Sequence, residues 1–166
     1  SASRIASSVG RSYDPSFDWD RLQEMRDTWP RRMIVKGILH PDDASRLAAM
    51  GIDAIVVSNH GGRQLDGTVA PIEALPAIVD AVAGRAEVWV DGGVRRGGDI
   101  VKACALGAKA VLVGRATLFG AFAGLEAGAA RAITILADEL ERTMQLCGAR
   151  SIDEVGSGLI YRERRS

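Results

Sequence analysis

Four short apolar runs, each followed by a turn and then by a helix-patterned stretch, constrain this 166-residue chain more than any other feature. The runs are Arg32-Met33-Ile34-Val35-Lys36, Ala54-Ile55-Val56-Val57, Glu87-Val88-Trp89-Val90-Asp91 and Ala110-Val111-Leu112-Val113. Rich in β-branched residues, they read as buried strands. A helix is expected from Pro41, with Asp42 and Asp43 favoured in its first turn, to Gly51. Others are expected over 71–83 and 97–106. A long one runs to Cys147, with Ile133, Leu136, Leu140 and Met144 on one face and Gly148 as its cap. Residues 17–29 predict an earlier helix, stopped by Pro30, with Phe17, Leu22, Met25 and Trp29 on one face. Strict alternation of strand and helix predicts an α/β fold with a parallel sheet under helices. Four units make half of a TIM (β/α)8 barrel, which takes about 250 residues in full. The outer strands of such a half expose edges that must be paired or covered, so a second half is expected outside this chain.

Composition narrows the function classes. With 21 basic and 21 acidic residues the formal net charge is zero, which offers no bulk attraction to nucleic acid or to an acidic partner. Cys104 and Cys147 both fall in helix-patterned stretches and read as reduced core thiols, the usage of a cytosolic protein. No stretch approaches the length of a transmembrane helix, and no signal peptide is visible. No His or Cys cluster has ligand spacing, so no metal is expected. Residues 1–16 read as a flexible lead-in, 17–160 as the folded part, and 161–166 as a solvated basic tail.

The residues able to carry chemistry gather just after strands: Lys36, His60, Asp91, Gly93 and Arg115. That is the placement of a site at the C-terminal face of a barrel or at the crevice of an open sheet. After the second run stands Ser58-Asn59-His60-Gly61-Gly62-Arg63-Gln64-Leu65-Asp66-Gly67. It offers a base at His60, glycines that admit a ligand close to the backbone, and a planar guanidinium at Arg63 suited to a carboxylate. Asp66-Gly67 also reads simply as a turn, and His40, before Pro41, as a loop or capping residue. After the third run, Asp91-Gly92-Gly93-Val94-Arg95-Arg96-Gly97-Gly98-Asp99 reads as an anion cradle leading into a helix N-terminus, with Arg95 or Arg96 adding charge. Gly114-Arg115 repeats the idea after the fourth. Two consecutive strand ends of this kind match the barrel phosphate site after strands seven and eight, which makes these strands five to eight. Lys36 is either the first solvated residue of its strand or a cation aimed at the barrel mouth.

These strings together resemble the FMN-dependent 2-hydroxy acid dehydrogenase/oxidase family, over about residues 14–160, with Lys36-Gly37-Ile38 as a further match. The resemblance implies a TIM barrel of which this chain is the C-terminal half, FMN as cofactor, and oxidation of a small 2-hydroxy acid, foremost (S)-mandelate, to the 2-oxo acid. It implies His60 as catalytic base, contacting substrate together with the carboxylate-binding Arg63. It implies Lys36, Ser58, Asp91, Gly93, Arg95, Gly114 and Arg115 as cofactor-binding residues. It further implies a homotetramer that needs the N-terminal half of the same barrel for activity. Relatives attached to membranes carry an insertion before the fifth strand. Residues 1–12 are expected to be the end of one, giving a peripheral protein on the cytoplasmic side of the inner membrane. Two rival readings stand beside this one: another phosphate-binding barrel enzyme of the IMP dehydrogenase kind, and a non-catalytic flavin-binding half-barrel.

Overall fold

The computed structural model describes residue 14 and residues 16–161. The expected lead-in and basic tail fall almost wholly outside the described residues. The chain divides into two compact units, 1–32 and 33–166. In the first, helix α1 (Trp19–Thr28) starts at Asp18, whose carboxylate accepts the Arg21 N–H at 3.0 Å. Of the expected apolar face only Leu22 is buried, while Phe17, Met25 and Trp29 are exposed.

The second unit holds β1 (Ile34–Ile38), α2 (Pro41–Ala49), β2 (Ala54–Val57), α3 (Pro71–Val82), β3 (Glu87–Val90), α4 (Gly97–Ala105), β4 (Ala110–Val111) and α5 (Arg115–Leu146). Short 3-10 turns stand at His60–Gly62, Ile152–Glu154 and Ser157–Leu159. The four strands are parallel and lie in sequence order, β1-β2-β3-β4. In that order the right-handed crossover rule carries every connecting helix to the same face. Helix α2 packs against α3, and α4 against α5. Strand β2 is buried throughout, and Leu47, Ile52, Leu75, Ile78 and Val82 complete the core around it. A smaller cluster of Val101, Ala105, Ala149 and Val155 seats Leu140, Met144 and Cys104. His40 caps α2 by accepting the Asp42 N–H at 3.3 Å, and Gly67 sits at φ 79 in its turn, as the sequence suggests.

Several details depart from expectation. The first strand is Ile34–Ile38 rather than 32–36, because its pairing begins opposite Ala54. The fourth stops at Val111, although Leu112 still donates to Val90 O at 2.9 Å; among the described residues β4 pairs only with β3. The long helix is broken at Gly124 and Leu125 (φ 49, ψ −133). Around the break Gly120 and Gly128 come so close that a Cβ on either would strike the other's backbone. By length and composition this 115–146 stretch does qualify as a candidate membrane span, and none of its most apolar window is buried. A search for an unbroken apolar run misses it because its hydropathy comes from Ala spread among Leu, Ile and Phe. Cys147 is exposed at the C-cap of α5 rather than in the core; Cys104 is partly buried, and burial pushes its thiol pKa up.

Candidate functional site

Three neighbouring strand ends contribute one polar cluster. Lys36, in β1, puts its Nζ 2.9 Å from Asp91 Oδ2, just beyond β3, and donates to Ser58 Oγ, just beyond β2, at 2.8 Å. The backbone holds these ends in step: Asp91 N–H donates to Val57 O at 3.1 Å and Ser58 N–H to Ile38 O at 3.4 Å. Pairing slips by one residue between Lys36 and Ile38, with Gly37 (φ 105) left over. A bulge at a strand end re-aims the side chains beside it. Ser58 is fully buried, and its hydroxyl also accepts the His60 N–H at 3.0 Å. Asp91 Oδ1 is buried and has no hydrogen-bond partner among the described residues. Leaving a buried acceptor unmet costs about 1–3 kcal/mol, more when it is charged, so this oxygen is a place for a hydrogen-bond donor from outside the chain.

His60, Gly61 and Gly62 are all left-handed, at φ 55, 72 and 74. The turn is drawn tight by Asn59, whose Oδ1 accepts the Gly61 N–H at 3.0 Å. It lays the imidazole over the β1 bulge: a Cβ on Gly37 would stand 2.8 Å from His60 Nε2. The base candidate thus lies beside the residue that follows Lys36. Arg63 continues the same loop, exposed and with no partner among the described residues. Arg115 donates from Nη2 to Gly61 O at 3.2 Å, which ties the end of the fourth unit to the His60 loop.

The anion cradle is narrower than the sequence suggests. Asp99 Oδ2 accepts the Arg95 and Arg96 N–H groups, both at 3.1 Å, and Glu139 Oε2 accepts the Gly97 N–H at 2.9 Å. The amides leading into α4, and that of its first residue, are therefore already met by the chain's own carboxylates. Arg96 is taken as well: it grips Glu139 with Nε at 2.9 Å and Nη2 at 2.6 Å, so its expected role as an added anion ligand is corrected to a structural one. Arg95 keeps an exposed guanidinium without a described partner, and Gly93 (φ 80) faces open space. At α5 the N-cap is Gly114, with no side-chain cap, which leaves first-turn amides available to an anion beside Arg115. Among the described residues no group of three or more His, Cys, Asp or Glu could hold a metal.

Lys36, Ser58, Asp91 and His60 are thus brought together, and Arg115 joins them through Gly61. Sequence reasoning missed Asn59 as a turn-former and Glu139 as the lock on α4. Asn59 was legible as an Asx-turn residue. Glu139, 42 residues from Gly97, left no local trace.

The Glu139 lock carries a pH dependence. The hydrogen bond from Arg96, then that from Gly97, holds its carboxyl below the ordinary value of 4.5. A depressed folded value means the stabilisation is whole above 4.5 and is lost as pH falls through the lower folded value. Protection of the 97–105 amides, taken relative to their intrinsic exchange rate at each pH, is expected to fall below pH 4.5 and to stay level above it, and Glu139→Gln should abolish the acid step.

A family model described as FMN-dependent dehydrogenase matches residues 1–162. An L-lactate oxidase of Nostoc sp. is 47% identical over 148 residues, covering 89% of this chain and 40% of that protein. An L-lactate dehydrogenase of Stenotrophomonas maltophilia is also 47% identical, covering 89% and 39%. Among solved structures, a monotopic membrane protein (S)-mandelate dehydrogenase superposes with a TM-score of 0.89 at 43% identity, covering 95% of this chain and 42% of that one. A mandelate oxidase bearing a monooxide FMN adduct gives 0.81 at 45% identity, covering 84% and 42%. The chain therefore spans about 40% of the length of the relatives it matches.

Proposed function

We propose, because this chain belongs to the FMN-dependent dehydrogenase family, that it supplies the C-terminal half of an FMN-binding TIM barrel that oxidises a small 2-hydroxy acid to the 2-oxo acid. The observation that carries the reading is the Lys36–Ser58–Asp91 cluster, with its unmet buried oxygen, lying beside His60 at the C-terminal end of the strands. Strand order supports the barrel: an open doubly wound sheet reverses order at a switch point, and this sheet does not. The complementary segment, about three fifths of the relatives' length, would pair the free edges of β1 and β4.

FMN, when bound, would supply an acceptor for two electrons and one proton. Asp91 Oδ1 would accept a hydrogen bond from a hydroxyl of that group, while Oδ2 and Ser58 hold the Lys36 ammonium ready to offset negative charge. Gly93, Arg95, Gly114 and Arg115, with the uncapped start of α5, would hold its phosphate. Arg63 takes the substrate carboxylate in a two-pronged, charge-assisted contact. The hydroxy acid gives up two electrons and two protons, and His60 receives one of those protons on a ring nitrogen. We favour mandelate as substrate on the 0.89 match to (S)-mandelate dehydrogenase. L-lactate is the second reading, on the 47% identity to L-lactate oxidase. The likeness to a monotopic membrane protein favours a peripheral position on a membrane, which we place on its cytoplasmic side.

The test is anaerobic addition of (S)-mandelate or L-lactate to the FMN-loaded chain assembled with its complementary segment. The flavin should bleach, and the faster substrate names the preference. An unchanged spectrum with both marks a flavin binder, not an oxidoreductase. In the same assembly Arg63→Lys should raise KM about tenfold or more, since one point charge replaces a planar fork. An unchanged KM would remove Arg63 from the carboxylate site.

A further inference from the structure

We propose that Ser58 and Asn59 are positioning residues for His60: two side-chain acceptors that fix its left-handed backbone and so aim the imidazole. The inference rests on the reading of His60 as the base. Among the described residues only His60, Ala83 and Leu125 combine a side chain with a positive φ. Ala83 takes the left-handed conformation at the end of a helix, where it is common, and Leu125 (φ 49, ψ −133) sits at the break of the long helix, away from the strand ends. His60 has no such reason. A Cβ in this region crowds the following carbonyl, and the conformation persists only where its surroundings over-determine it.

Here the surroundings are two hydrogen bonds on consecutive amides. Ser58 Oγ accepts the His60 N–H and Asn59 Oδ1 the Gly61 N–H, both at 3.0 Å. Ser58 is itself fixed: it is fully buried and held by Lys36 Nζ at 2.8 Å. Asn59 Oδ1 faces Gly92, where an added Cβ would stand 3.4 Å from it. The loop is therefore keyed to β1 through the lysine, and it faces the end of β3. Because φ sets the direction of the Cα–Cβ bond, this keying is what lays the ring over Gly37. At an ordinary negative φ the side chain would leave the bulge.

The chain has two histidines, so carbon-13-labelled histidine gives two ring signals, and His40, at the N-cap of α2, is the internal control. In Asn59→Ala the His60 signal should split or broaden while His40 stays put. In the FMN-loaded assembly the same variant should lose about 10–100-fold in kcat, the cost of a misplaced catalytic group, with KM little changed. Asn59→Asp keeps an acceptor in place and should restore both readouts. An unchanged His60 signal with an unchanged kcat in Asn59→Ala overturns the proposal. So does loss of fold in both variants, recognised from a displaced His40 signal, since that marks a purely structural role. A parent assembly that bleaches with neither hydroxy acid sinks the functional reading instead, and the ring signals still decide the positioning.

Discussion

His60→Gln in the assembled, FMN-loaded protein is expected to lower turnover about 10²–10⁴-fold, the contribution of a well-placed general base. Flavin content should stay at the parental level, because the groups assigned to the cofactor are elsewhere: Asp91 and Lys36 at one end, Arg115 and the start of α5 at the other. Glutamine keeps a polar side chain but cannot accept a proton at neutral pH. It also keeps the loop's backbone amides, on which Ser58 and Asn59 act. Stopped-flow reduction of the flavin reads the chemical step directly, and near-normal reduction in this variant would remove His60 from the base position. Loss of flavin along with turnover would show that the imidazole supports the cofactor site instead.

Gly97→Ala is expected to cause a large loss of stability for a single added methyl group. An added Cβ would run into the backbone of Glu139 and Leu140, where neither atom set can swing aside. Forcing α4 off α5 also stretches the Gly97–Glu139 hydrogen bond. Overpacking of this kind costs about 1–3 kcal/mol, and backbone contact places it at the upper end. A cost of about 3 kcal/mol lowers the Tm by roughly 6–12 °C for a chain of this size. Its neighbour supplies the contrast. A Cβ on Gly98 would meet Thr143 Oγ1 at 3.7 Å, an ordinary contact. Gly98→Ala should therefore gain about 0.5–1 kcal/mol from helix propensity. Thermal melts of the two variants side by side test the packing, and equal Tm values would refute it.

The architecture was legible because it is written locally. Runs such as Ala54–Val57 are too short and β-branched for helices, and Pro41 and Gly107 mark boundaries within a residue or two. The gathering of Lys36, Ser58, Asp91 and His60 was legible because parallel strands put their ends on one side, so position after a strand is itself a clue. What escaped was long-range competition. Nothing around Arg96 announces that Glu139 will claim it, and nothing around Gly97 announces that α5 will fill its first turn. The break at Gly124 escaped for a related reason: each half of the stretch is helical by pattern, and only the close approach of Gly120 to Gly128 reveals the fold-back.

The bond from Arg115 to the Gly61 carbonyl joins two jobs in one strut. A guanidinium assigned to the far end of the cofactor also braces the loop that bears the imidazole. If Arg115 holds the phosphate as proposed, occupancy of that end would reach the imidazole's loop through this single bond.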